Sequence, residues 1–451
     1  MKALSFPGGI HPPDRKLPGY GKAVERHLPR GLLLFPMSQH IGAACSPVVK
    51  TGDRVLRGQK LADSEDFVSA PILSSVSGAI RDIADHMTIS GRRELCIAVE
   101  NDGRYELGSN LEPHEDYHRL SAAECRKIIR EAGIVGMGGA TFPTHVKLSP
   151  PPDKKIFYII ANGAECEPWL NSDNRLMLEH PGEILLGLKI CLHLFPEAKG
   201  FVAVEDNKPD AAAHLEENLR SQDDGRISIA VLPSLYPQGA EKMLIYSLTG
   251  RKVPIGGLPA DVGCIVLNVR TLYQIALAVT EGLPVEDRIV SVAGDVVEPK
   301  NLLVPLGTSV RELLDAVGGF IETPAKVLSG GPLMGTAFSS LDVPVVKGTS
   351  SIVALSPRSG LLPPETNCIR CGRCVAACPM CLLPSTLDFF VRGKAYEEFE
   401  RYGGSSCIEC GCCSYVCPAD RRLVWAFREG KSAYRQLVRQ KEISRKSGDK
   451  A

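Results

Sequence analysis

Near its C-terminus the chain writes Cys-x2-Cys-x2-Cys-x3-Cys-Pro twice: Cys368, Cys371, Cys374, Cys378 and Pro379, then Cys407, Cys410, Cys413, Cys417 and Pro418. Runs this dense in thiols cannot build an ordinary apolar core. They must wrap around something that engages four thiolates together, and these spacings suit a [4Fe–4S] cube. A zinc site with four cysteine ligands is the competing reading, because it too uses Cys-x2-Cys pairs. Zinc ribbons separate their two pairs by a long loop, whereas each run here packs four thiols into one segment. Clusters imply one-electron chemistry.

Each run with its trailing proline resembles the bacterial two-cluster ferredoxin pattern. In that pattern the fourth cysteine of each run serves the other cube. The resemblance therefore implies one cube on Cys368, Cys371, Cys374 and Cys417, and another on Cys407, Cys410, Cys413 and Cys378. Cys45, Cys96, Cys125, Cys166, Cys191 and Cys264 are scattered singly and read as buried apolar residues. Cys381 and Cys412 lie among the ligands but off the repeat and read as bystanders. Sixteen cysteines in 451 residues do not make a disulfide scaffold, which is typically small and secreted.

Lys+Arg and Asp+Glu balance at 52 each, which gives no case for nucleic-acid binding. No apolar run approaches the roughly 18 residues that span a bilayer. Met1 to Gly9 is too short and mixed for a charged-then-apolar signal segment. With cluster chemistry, a reducing cytoplasm is the expected setting.

Five segments follow from the pattern. Residues 1–110 are Gly- and Pro-rich with short apolar alternations, hence β-rich. Within them Val49 to Ala62 reads strand, turn, strand, and Val68 to Ile80 repeats the theme. This resembles the barrel-sandwich fold of lipoyl and biotinyl carriers; the carrier lysine motif is missing, so a structural adaptor is expected. Residues 111–283 alternate strands and helices, implying an α/β domain with parallel strands. Its elements are a helix opened by the capping box Ser121–Glu124, strands at 155–160 and 200–204, and helices at 174–194 and 210–219. Residues 284–356 return to short strands around a helix at 309–317, the size of a β-grasp module. The two-cluster domain occupies 357–422. A basic amphipathic helical tail fills 423–451, with Arg428, Lys431, Arg435, Arg439, Lys441, Arg445 and Lys446.

Gly136, Gly138 and Gly139 lie in a glycine cluster that runs on to Lys147. Glycines let backbone approach a ligand closely, and consecutive amides form an anion-binding concavity. A tight turn packing helix on strand would use the same residues. Asn162, Glu165 and Glu167 follow a strand, where amide and acidic groups suit a flavin edge or a nicotinamide.

Together these two stretches resemble the flavin-binding subunit of respiratory complex I. Gly239, Glu241 and the segment through Gly250 resemble its Gly-Glu-Glu stretch, and Leu267 to Leu272, with Asn268 and Thr271, its Asn-Asn-Val-Glu-Thr-Leu. Met137, Thr141, Ala164, Cys166 and Ala240 depart from that subunit's arginine, glycine, aspartate, serine and glutamate. With Gly8 to Pro13, the barrel-sandwich start and the double cysteine run, the layout resembles the RnfC family. The resemblance implies non-covalent FMN, two [4Fe–4S] clusters and NAD(H) as substrate. The cofactor contacts it implies are Gly136, Gly138, Gly139, Lys147, Asn162, Glu165, Glu167, Gly239, Glu241, Asn268 and Thr271, with the nicotinamide mainly at Glu167 and Glu241.

The activity implied is electron input to an ion-translocating NAD:ferredoxin oxidoreductase, with no catalytic acid or nucleophile. The implied partners are the membrane and peripheral subunits of an Rnf-type complex, with ferredoxin reached indirectly. The implied place is the cytoplasmic face of the inner membrane, as a peripheral protein. Two other readings stand beside it: a soluble flavin/iron–sulfur reductase related to microcompartment cobalamin reductases, and a flavin-free relay or docking subunit.

Overall fold

A computed structural model describes residues 4–16, 21–108, 111–221 and 225–448, apart from the side chains of 445–448. Strands Leu32–Pro36, Arg93–Asn101, Gly78–Met87 and Arg54–Val55 form one antiparallel sheet, and Ser46–Pro47, Lys60–Asp63 and Ile72–Leu73 a second. Period-2 patterning sets the faces: Leu33 and Phe35 are fully buried, while Leu32 is exposed. Their partners in the sandwich core include Val55, Leu61, Ile72, Ile80, Ile97 and Val99. Gly78 is required there, since a Cβ would lie 2.0 Å from the Glu100 carbonyl oxygen.

The first strand of these two sheets is Leu32–Pro36. Of the preceding chain, the described residues 4–16 and 21–31 form a strap across the other modules. Leu4 N–H bonds Ser247 O, Gly9 N–H bonds Ala377 O, Ile10 pairs with Tyr236, and Glu25–Arg26 joins strand Lys300–Pro305. Gly8 explains the tight passage, because a side chain there would meet the backbone of Cys378 at 2.8 Å. Met1 to Ala3 lie outside the described residues.

The α/β module holds four parallel strands in the order Ile227–Leu232, Lys199–Glu205, Tyr158–Gly163, Cys264–Asn268. Ile159, Ile160, Val202 and Val204 are fully buried, as strands covered on both faces require. The capping box forms as the sequence predicts: Ser121 Oγ accepts from Glu124 N–H, and the Glu124 carboxylate accepts from Ser121 N–H at 2.8 Å. The single helix expected over 174–194 is two, Ser172–Glu179 and Pro181–His193. Pro181 has no N–H to continue the first helix, but it suits the first position of the second.

The β-grasp module is a mixed sheet. Strand Asp287–Gly294 pairs antiparallel with Lys300–Pro305 and parallel with Ser351–Leu355, which pairs antiparallel with Lys326–Ser329. Helix Val310–Ala316 packs beside it through Val310, Leu313 and Leu314.

In the cluster module, helices Pro384–Arg392, Tyr396–Arg401 and Leu423–Gly448 enclose Leu387, Val391, Phe399, Leu423, Ala426 and Phe427. The basic helix is therefore no separate tail: its first two turns complete this core. Arg428 and Lys431 both pair with Glu409, at 2.8 and 2.7 Å, and Lys441 pairs with Glu397. Arg435 and Arg439 are at least partly exposed; residues 449–451 and the Arg445 and Lys446 side chains lie outside the described residues.

Candidate functional site

In the parallel sheet the chain runs outward from Tyr158–Gly163 through two strands, then returns to place Cys264–Asn268 on its other side. Ligands of open α/β sheets bind outside the carboxyl ends of strands at such a reversal. Asn162 and Asn268 lie at the ends of the two strands there and are paired in register. Asn162 Nδ2 donates to Gly239 O at 2.9 Å. Asn268 Oδ1 caps helix Val269–Thr280 by accepting Arg270 N–H at 2.9 Å, while its Nδ2 donates to Asp173 Oδ2 at 2.6 Å.

The glycine loop closes over this reversal. Thr271 Oγ1 accepts Met137 N–H at 3.0 Å. A Cβ on Gly138 would sit 3.3 Å from Asn268 Cβ, and Gly139 adopts φ +124 with nothing within 4 Å of its Cβ position. Gly138, Gly139 and Ala140 are exposed, and their amides meet no acceptor among the described residues. Three consecutive free amides on an open face suit a phosphate group. The structure thus gathers Gly136, Gly138, Gly139, Asn162, Gly239, Asn268 and Thr271 at one crevice.

The charged candidates are placed differently. Lys147 Nζ is held by Glu241 Oε1 at 2.7 Å and by Val266 O at 2.9 Å, so the two form an ion pair beside the strand end. Glu165 faces helix Ser172–Glu179 and accepts the amides of Asp173 at 2.8 Å and Asn174 at 3.2 Å. Its backbone takes φ +46, with the buried ammonium of Lys208 on Ala164 O at 2.6 Å and that of Lys16 on Glu165 O. Glu167 accepts the amides of Leu333 at 3.1 Å and Met334 at 2.8 Å in the β-grasp module; burial still pushes its carboxyl above the usual range. Both acids cross-link structure, which their spacing in sequence did not reveal.

Four residues at the site escaped the sequence reading. Asp173 is half-buried, its Oδ2 accepting from Asn268 Nδ2; desolvation, then the charge of Glu165, push its carboxyl up to about 7. Arg288 and Lys347 reach the glycine loop from the β-grasp module. Tyr236 donates to Cys410 O at 2.7 Å and lies 3.4 Å from Glu167 Oε1. Only Lys347 carried a local signal, a lone cation after the apolar run Val343 to Val346.

On the far side of Tyr236, Cys378, Cys407, Cys410 and Cys413 line one pocket with Pro379, Leu382 and Phe427. These are the four thiols that the crossed ferredoxin pairing groups together. Cys412 shares the wall, its thiol 3.8 Å from Tyr236 O. Cys368 and Cys371 are exposed, and Cys374 and Cys417 half-buried.

Residues 129–277 match the family described as the Nuo51 FMN-binding domain, 4–104 the RnfC barrel sandwich hybrid domain, 289–337 the SLBB domain and 367–421 the 4Fe-4S dicluster domain. A solved NAD+-reducing [NiFe]-hydrogenase shares the fold over 70% of this chain and 64% of that one, with a TM-score of 0.51 and 20% identity. The FMN-binding and 4Fe-4S dicluster matches define a flavin- and iron–sulfur-containing electron-transfer protein. One subunit of the proton-translocating ferredoxin:NAD(+) oxidoreductase complex of Clostridium ljungdahlii is 47% identical over 87% of this chain and 86% of its own. The corresponding subunit of the Na(+)-translocating ferredoxin:NAD(+) oxidoreductase complex of Acetobacterium woodii is 41% identical over 98% and 99%. Its counterpart in the ion-translocating oxidoreductase complex of Yersinia enterocolitica is 39% identical over 87%, and this chain spans 56% of its length. The chain belongs to the RnfC family.

Proposed function

We propose that this chain is the NADH-side subunit of a membrane-associated, ion-translocating ferredoxin:NAD oxidoreductase, exchanging electrons between NADH and partner subunits. The observation that carries this reading is the unbroken packing from crevice to cysteine cavity through Tyr236. A flavin pocket or a cluster domain alone would not need that junction.

Bound FMN supplies the change from two-electron hydride transfer to single-electron transfer. The chain's own residues bind and orient it. The free amides of Gly138, Gly139 and Ala140 would take the phosphate, with Gly136 shaping the turn. Asn162, Gly239, Asn268 and Thr271 form the floor beneath, and the Lys147–Glu241 pair sits at its edge. No side chain is required to move a proton in this step. Glu165 and Glu167 fix the floor and the β-grasp contact, so we assign them positioning roles here; the Glu241 side chain keeps 37% exposure.

Of the two four-cysteine sets, the first includes Cys410, whose carbonyl accepts from Tyr236 of the flavin module, while in the second Cys368 and Cys371 are exposed. We therefore order them as inner and outer centres, with the outer one meeting the partner. Among the described residues no helix is long and apolar enough to cross a membrane. The protein is then held at the cytoplasmic face by protein contacts, mainly through the N-terminal module, because Glu409 and Glu397 already engage three of the tail's cations. Anaerobic purification with assays for iron, FMN and NADH-dependent reduction tests the proposal. Stoichiometric zinc in place of iron, or absence of flavin, refutes it.

A further inference from the structure

The glycine loop is built by three modules at once, and its fixed side is held by two buried cations from the β-grasp module. Arg288, 2% exposed, donates through Nη2 to Met137 O at 3.0 Å and through Nε to Thr349 O at 3.1 Å. Lys347, fully buried, donates to Gly133 O at 2.8 Å and to Pro71 O of the barrel sandwich at 2.6 Å. Gly133 leaves room for that ammonium: a Cβ there would lie 2.9 Å from Lys347 Nζ. Val285 N–H also bonds Ala132 O, and the Gly348 backbone packs against Thr141.

These contacts are directional. The inward carbonyls of Gly133 and Met137 are claimed by cations, and Met137 N–H by Thr271. The next three amides are left facing outward without partners. Rotating the Met137 peptide would break its bond to Arg288 and turn the following amides away from the crevice.

Charge points the same way. Lys147, the lysine next to the loop in sequence, is already neutralised by Glu241. Arg270 is paired with Asp287. Arg288 feels Asp173 and Asp287 as its nearby acids and Arg270 as a like charge, and its Nη1 has no hydrogen-bond partner. A buried guanidinium so incompletely matched leaves positive potential behind the loop, and low-dielectric surroundings preserve it.

We propose that Arg288 is a positioning residue for the FMN phosphate, fixing the glycine loop through the Met137 carbonyl and supplying positive potential behind its free amides, with Lys347 anchoring the loop at Gly133. This rests on the reading of Gly136–Gly139 as the phosphate loop. It makes flavin binding depend on a module that contributes no residue to the crevice floor.

The test compares FMN with riboflavin, which has the same ring system and lacks the phosphate, on flavin-stripped full-length protein with its clusters intact. Binding is read by flavin fluorescence and fold integrity by thermal melting. Wild type is expected to prefer FMN. Arg288→Gln should weaken FMN binding by about tenfold or more, one charge-assisted interaction's worth, while riboflavin binding changes little. Arg288→Lys, which keeps the charge but cannot serve both carbonyls, should fall between. Equal weakening of both ligands, or an unchanged FMN preference in either folded variant, overturns the proposal. Should Arg288→Gln fail to fold, Arg288→Lys alone decides by the same criterion. A wild-type chain that binds the two ligands equally refutes the phosphate-loop reading itself, a result distinct from a variant that leaves a real preference intact.

Discussion

The Tyr236 hydroxyl donates to the carbonyl of Cys410 at 2.7 Å, so a residue of the flavin module holds the backbone of a cysteine that lines the cysteine pocket. Both are buried, at 2% and 6% exposure, and no water can replace the bond cheaply. Tyr236→Phe leaves that acceptor unsatisfied and should cost about 1–3 kcal/mol. Thermal melting of the anaerobic protein measures the cost, and hydrogen exchange should localise the loosening to residues 407–413. Unchanged protection there would mean that the modules are held elsewhere.

The crossed cysteine assignment makes a distinct prediction about double variants. Cys378 and Cys413 belong to one cube if the cavity describes the ligand set. Replacing both with Ala should then remove one cluster and leave about four of eight irons. Pairing within each run would place them on different cubes and empty both. Iron analysis and EPR of the reduced double variant separate the two cases.

Gly138→Val should expel FMN. The new Cβ would press on the Asn268 side chain from 3.3 Å, and the β-branched group would crowd the outward amides. Moving Asn268 also disturbs its bond to Asp173 and the cap of helix Val269–Thr280. Absorbance of the purified variant should show clusters without flavin; full flavin occupancy would mean the loop has been misread.

Asp173 gives the pH signature of the site. Its carboxyl is raised to about 7 in the folded protein, first by burial and then by Glu165. Between about pH 4 and 7 the unfolded chain releases this proton while the folded chain keeps it, so stability falls as pH rises through that window. Asp173→Asn removes the titration and still accepts from Asn268. Its melting temperature should drop less than wild type's between pH 5 and pH 7; parallel curves would show that Asp173 ionises normally.

The modular order was legible because each module announces itself locally: dense thiols, β alternation, strand–helix alternation, a capping box. The crevice glycines and asparagines were legible for the same reason, since loop and strand end are short-range features. Arg288, Lys347 and Tyr236 act on residues 151, 214 and 174 positions away, and no local pattern encodes such contacts. Glu165 and Glu167 show a different limit. An acid that caps a helix or ties two modules looks, in sequence, like an acid that faces a ligand. The C-terminal helix read as a basic amphipathic tail because charges dominate its later turns, while Leu423, Ala426 and Phe427 carry its packing into the cluster module. The strap before Leu32 was hidden because its glycines serve another module's backbone.

In the proposed function, NADH, flavin and clusters form one electron path within this chain. The most direct measurement is anaerobic titration of the full chain, loaded with FMN and both clusters, with stoichiometric NADH. Flavin absorbance and cluster EPR are followed together, and Gly138→Val serves as the flavin-free control. NADH should bleach the flavin and electrons should redistribute to the clusters, and neither should occur in the control. Clusters and flavin that dithionite reduces but NADH leaves oxidised, or cluster reduction by NADH in the flavin-free variant, would contradict it.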